Sequence, residues 1–258
     1  MNRLVFVLAL LLGACSFCAS AITLSEQEID DPIKAGAKCK VPVPNSYGTY
    51  IYQFPSKYDQ VFWPHAAANM IWFCPESGFA SFIEDADKLS DNEKSAIAQR
   101  LAEAYRPGPQ APTELEKIAA LERSYAQRKL DEPARIALLR SLAYMYEAAG
   151  DGARATKLRR EALAAIDAAL TAPAGLKEQQ TLEYLFVGAV YEREFGNVER
   201  SDARLKALDA KLAKVDSADL TYYVEYLTDL KRDVPRVQPG GTLAPDMPDM
   251  PDMPDHTH

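Results

Sequence analysis

The chain is predicted to be mainly α-helical, with a small β-containing module near its N-terminal end. Three observations predict this. Residues 90–233 are rich in Ala, Leu, Glu, Arg and Lys, with apolar side chains at helical spacing. Short stretches containing Pro or Gly cut that region into segments of helix length. Residues 22–88 are instead rich in aromatics and proline and hold both tryptophans, Trp63 and Trp72.

Taken in order, residues 1–21 are not fold. Arg3 precedes an unbroken apolar run from Leu4 to Leu12, which is too short to span a bilayer and reads as a secretory signal peptide. Cleavage after Ala19-Ser20-Ala21 releases a soluble periplasmic protein. The alternative reads Leu12-Gly13-Ala14-Cys15 as a lipobox, with Cys15 lipidated and the protein anchored to the outer membrane. That site leaves only a short signal, so soluble release is preferred. Under it Cys39 and Cys74 are the two cysteines left, an even pair in an oxidising compartment.

The net charge of −8 argues against nucleic acid, which demands a basic face, and against tight docking on anionic lipid. No GxSxG, HExxH, P-loop or Rossmann fingerprint is present. His65 is the one histidine outside the tail. Paired with Asp59 or Glu76 it would be the basis of an enzyme; the blander expectation is packing or a local hydrogen bond, with no catalytic residue.

Residues 22–88 form the aromatic-rich module, its core expected from Tyr50, Tyr52, Phe54, Phe62, Trp63, Trp72, Phe73, Phe79 and Phe82. Short strands are expected in Thr49–Phe54 and Asn69–Cys74. Residues 89–233 form the helical domain. Ser90–Glu93 and Thr113–Glu116 are capping boxes, and Asp131-Glu132-Pro133 opens a third helix. Turns at Gly150-Asp151, Pro173-Ala174-Gly175 and Gly196-Asn197 bring the expectation to about seven helices.

Leu139, Leu142, Ala143, Tyr146, Gly150, Ala155 and Ala162 resemble the pattern of a tetratricopeptide repeat. Small residues let two helices approach, while Leu and Tyr fill the groove between them. Arg159 stands where that repeat has a large apolar residue. A second unit, Leu182 to Ala210, echoes the first with a one-residue slip before Gly196. The resemblance implies an antiparallel helix-pair array and, by fold-level analogy only, a surface for a protein or peptide partner.

Cys74-Pro75-Glu76-Ser77-Gly78 reads as a zinc knuckle whose second cysteine is replaced by Ser77. Cys39-Lys40-Val41-Pro42 reads as its equally degenerate partner turn. With Gly78-Phe79-Ala80 and the helix start Lys88–Lys94, the module resembles an uncharacterised bacterial family that carries paired Cys-Pro-x-Cys knuckles before helical repeats. That resemblance implies a zinc-ribbon-like ancestor, but half of the ligands are lost and zinc is not expected. Four thiolates on one zinc lie within about 4 Å of each other. Cys39 and Cys74 should therefore still face each other and close as a disulfide, stabilising the chain by about 3–4 kcal/mol.

Residues 234–258 are a low-complexity tail ending in Pro245–His258, with proline at every third position. It is expected to be disordered, with a polyproline bias. Met247, Met250, Met253, His256 and His258 offer thioethers and imidazoles suited to copper. Against this, neighbouring Met side chains stand about 9 Å apart in polyproline II, too far to share an ion without a kink. The expected function is an exported, non-enzymatic protein-interaction or scaffold protein of the bacterial envelope, with no required cofactor. The alternative is a periplasmic copper binder.

Overall fold

The computed structural model describes residues 23–45, 56–172 and 175–244. Outside them lie the leader with Cys15, the expected core residues Tyr50, Tyr52 and Phe54, and the tail with Met247, Met250, Met253, His256 and His258. Within them, seven helices and two small two-stranded sheets make a mainly α fold with a small N-terminal β region. Among the described residues no helix is long and apolar enough to cross a membrane.

The first sheet pairs β1 (Leu24–Asp30) with β2 (Lys38–Pro44), antiparallel, with Ile29 opposite Cys39. Asp31 closes the connection, its Oδ1 accepting from the amides of Ile33 at 2.9 Å and Lys34 at 3.0 Å. The sequence reading placed Cys39-Lys40-Val41-Pro42 in a turn, and the structure corrects this. Cys39 and Val41 point inward and Lys38 and Lys40 outward, the two-residue period of a half-buried strand. The partner β1 is polar and exposed almost throughout, so it carries no apolar alternation to reveal it.

The second sheet pairs β3 (Trp72–Cys74) with β4 (Phe79–Ser81) through a tight turn. The Gly78 amide donates to the Cys74 carbonyl at 2.8 Å, and Gly78 has φ +75°. A Cβ at Gly78 would lie 2.3 Å from the Tyr105 ring, so space as well as backbone angle demands glycine. Ser77, in the place of a thiolate, accepts from the Phe79 amide at 3.1 Å and so closes the turn itself.

The capping boxes form as expected. Ser90 opens α1 (Asp91–Ala104) and Thr113 opens α2 (Glu114–Tyr125), each exchanging hydrogen bonds with the Glu three residues on. Asp131 caps α3 (Glu132–Ala148), accepting from the Ala134 amide at 2.9 Å. Then come α4 (Gly152–Thr171), α5 (Glu178–Glu194), α6 (Val198–Leu212) and α7 (Thr221–Leu230).

Helices α3 and α4 pack as one antiparallel hairpin, α5 and α6 as another. Their turns share one hydrogen-bond pattern: Asp151 donates to the Tyr146 carbonyl at 2.8 Å, and Asn197 to the Glu192 carbonyl at 2.7 Å. Gly150 (φ +90°) and Gly196 (φ +79°) take the left-handed position that ends each first helix. Glu192 thus occupies the place of Tyr146, which is the physical meaning of the one-residue slip.

The β module has no core of its own. Trp72, Phe79 and the two cysteines bury themselves with Ile97 and Leu101 of α1. Phe73, Ala80 and Phe82 join Ile118 and Leu121 of α2 and, beyond them, Leu142 and Leu158. Two amides of the module reach the same helix: Ala80 donates to Ser124 Oγ at 3.2 Å and Phe82 to Tyr125 Oη at 3.3 Å.

Candidate functional site

Three places gather polar side chains. The first is the cysteine pair. Cys39 and Cys74 stand at disulfide distance, Sγ to Sγ 1.98 Å, joining the start of β2 to the end of β3. Asp31 lies beside them, all three buried, with ligand atoms within 4.8 Å of one another. Disulfide sulfurs are poor ligands, so the residues present do not fit zinc while the bond is closed. His65 does not belong to this cluster.

The second place is a buried ion cluster that ties the chain before the module's second sheet to the helical hairpins. A single helical turn, Ser56–Asp59, rests against α3 and α5. Its Asp59 meets Arg159 of α4 through two contacts, Nη2 to Oδ2 at 2.9 Å and Nε to Oδ1 at 3.3 Å. Arg159 also reaches Glu194 of α5 at 3.1 Å and Glu147 of α3. The Tyr191 ring lies 6.0 Å from the guanidinium, and its buried hydroxyl faces Asp59 outside hydrogen-bond geometry. Burial pushes Glu194 up to about 7 and raises Asp59 as well, with Arg159 pulling against both. For Arg159, the loss of solvent is outweighed by its carboxylates, which hold it firmly charged. One cation faces three acids, and the arrangement acts as a clamp on Asp59. The same segment is held by Tyr58, which donates to Asp233, and by Arg140, which donates to the Asp59 carbonyl at 3.5 Å.

The third place is a cleft of about 290 Å³ beside His65, walled by Phe82, Leu138 and Ser141 and by the charged Asp85, Lys88 and Arg128. His65 is exposed as a residue, yet its ring packs on Phe82 at 4.3 Å. That packing pushes the imidazole below its ordinary range, against the pull of Asp85. Neither Asp59 nor Glu76 lines this cleft: Asp59 is on Arg159, and Glu76 pairs at the surface with Lys34 at 2.7 Å. The nearby carboxylate is Asp85, which sequence reasoning missed. It is engaged by Tyr125 Oη and Arg128, and by Lys88 at 3.3 Å. Among the described residues no hydrogen bond joins the imidazole to Asp85 or Ser141. The cleft therefore lacks the aligned nucleophile, base and orienting acid of a triad.

The sequence offered one signal for the clamp, Arg159, and one for the cleft, His65, but not its neighbour Asp85. Arg159 stood out as a charge in an apolar position of the repeat pattern, but its partners come from three separate elements, the Asp59 turn 100 residues away among them. In comparisons with known proteins, the chain matches no family model, no curated protein and no solved structure.

Proposed function

We propose that the chain is an exported, non-enzymatic interaction protein of the bacterial envelope. The observation that carries this reading is the pair of consecutive helical hairpins with the same turn geometry at Gly150 and Gly196, the local unit from which helical-repeat binding surfaces are built. The buried cysteine pair at disulfide distance supports the exported half, because such a bond persists in an oxidising compartment. The clamp on Asp59 supports a rigid scaffold, since it ties that turn to α3, α4 and α5.

The test is photo-crosslinking in the native envelope from exposed positions such as Tyr222, which is 85% exposed, followed by reconstitution with the purified partner. The expected result is one defined partner that co-migrates with the full chain at fixed stoichiometry. A crosslinked protein that forms no complex when purified would overturn the reading.

A further inference from the structure

The chain is acidic overall, yet one groove on it is basic. Two adjoining hollows, of about 570 and 440 Å³, share Phe73, Pro75 and the segment 108–112 between α1 and α2. Their walls carry Lys38, Lys40, Arg106, Lys117 and Arg123, against one acid, Glu116. That acid is occupied: its carboxylate accepts from the Thr113 amide at 2.8 Å and hydroxyl at 2.9 Å in the capping box of α2.

Most of the bases have no acid of their own. Lys38 pairs with Asp30 at the surface at 2.5 Å. Among the described residues, Lys40, Arg106, Lys117 and Arg123 make no salt bridge. Arg106 spends Nη1 on the carbonyls of Ala102 and Tyr105 at 2.6 and 2.7 Å. The Nε of Arg123 is buried with no hydrogen-bond partner. A half-buried guanidinium without a carboxylate is costly, and an incoming anion relieves that cost.

The groove also has a shape preference. Lys38 and Lys40 leave β2 on the same face, two residues apart, which matches alternate side chains of an extended peptide. The Phe73 ring, edge-on to Tyr105 at 6.2 Å, and Pro75 add apolar surface of the kind that takes an extended or polyproline backbone. We infer that this groove docks an extended acidic peptide segment of a partner protein, its carboxylates on Lys40, Lys117 and Arg123 and its backbone along Phe73. The inference rests on the interaction reading above and adds where the partner binds and by what chemistry.

The experiment is fluorescence anisotropy of a labelled peptide of alternating Asp and Pro with the full disulfide-bonded chain, beside the same peptide with Asn for Asp. Saturable binding by the acidic peptide alone is expected, weakening with salt. Lys40→Glu and Lys117→Glu should each weaken it about tenfold, with circular dichroism unchanged. Arg123→Gln reports the buried end of the groove and should weaken binding in the same direction. Equal binding of both peptides, or variants that bind as the parent does, would overturn the inference. A third arm replaces Asp246, Asp249, Asp252 and Asp255 by Asn in the full chain. Binding that appears only then assigns the groove to the protein's own acidic tail and overturns the partner assignment. If these variants still form the crosslinked partner complex, the groove inference fails while the interaction reading stands.

Discussion

The two helical hairpins have the same turn and opposite interiors. With Gly150 aligned on Gly196, Leu142 corresponds to Gly188 and Leu158 to Arg204. In α3–α4, Leu142 and Leu158 belong to one buried apolar cluster. In α5–α6, the missing side chain of Gly188 leaves room for Arg204, which reaches Asp167 and, at 3.3 Å, the fully buried Glu192. Each hairpin thus draws one arginine of its second helix inward, Arg159 fully buried and Arg204 half-buried, one position apart in the shared frame. The difference lies in what those arginines hold. Arg204 meets Glu192 of its own hairpin and Asp167 of the neighbouring α4. Arg159 gathers acids from α3, α5 and the Asp59 turn, so it joins elements that no local contact would join. One backbone motif therefore carries an arginine that ties neighbouring helices in one place and, in the other, one that also fixes the distant Asp59 turn.

The largest expected effect tests that contrast. Arg159→Met leaves buried Asp59 and Glu194 without a cation, which is expected to cost about 3–5 kcal/mol. Arg204→Met leaves Glu192 its contacts with Arg200 and Asn197, each at 2.8 Å. Its expected cost is about 1–2 kcal/mol. Urea unfolding of both variants with the cysteine bond intact measures the two values. Equal costs would mean that Arg159 is no more a junction than Arg204 is. Adding Asp59→Asn and Glu194→Gln to Arg159→Met should recover part of the loss, because the stranded charges are then gone.

What could be read from the sequence follows the range of the interactions. The caps at Ser90, Thr113 and Asp131 lie within three residues of the groups they serve, so spelling alone reveals them. The turns at Gly150 and Gly196 are equally local. The facing of Cys39 and Cys74 was legible because they form an even pair within one small module. By contrast, Asp59 and Arg159 are 100 residues apart, and nothing periodic links them. The sequence marked Arg159 as out of pattern but could not say which acid it meets. β1 escaped notice for another reason: a strand exposed on both faces has no apolar alternation. The placement of Asp85 in the cleft of His65 likewise waits on Tyr125 at the end of α2 and on Arg128 just beyond it, which hold that carboxylate.

A smaller effect sharpens the junction through pH. Burial pushes Glu194 up to about 7, whereas an unfolded Glu titrates near about 4.3. Between those values the folded chain keeps a proton that the unfolded chain has lost. Stability contributed by this group is therefore full below the unfolded value, falls as pH rises to about 7, and is flat above it. Asp59 is raised too and adds with the same sign, while Arg159 stays charged throughout. Half-buried Glu93, held down to about 2 by Ser90, acts in the opposite direction and at lower pH. Glu194→Gln should flatten the fall between pH 5 and 8, read as the difference between variant and parent unfolding curves. Parallel curves would show that Glu194 does not titrate in that window.

The smallest effect concerns the α5–α6 hairpin, and its sign is the readout. A Cβ on Gly188 would lie 2.9 Å from Arg204 Nη1 and 3.2 Å from its Cδ and Cζ. Arg204 is flexible and can retreat, but only by leaving Asp167 and Glu192. Against that loss stands the gain of up to about 1 kcal/mol for Ala over Gly inside a helix. In the parent chain Gly188→Ala should therefore destabilise by about 1 kcal/mol. In an Arg204→Ala background nothing remains to displace, and the same substitution should stabilise by about 0.5–1 kcal/mol. A double-mutant cycle on urea midpoints reads the reversal. If Gly188→Ala carries the same sign in both backgrounds, the glycine is not there to admit Arg204. The difference between the hairpins would then lie in the placement of Glu192 alone.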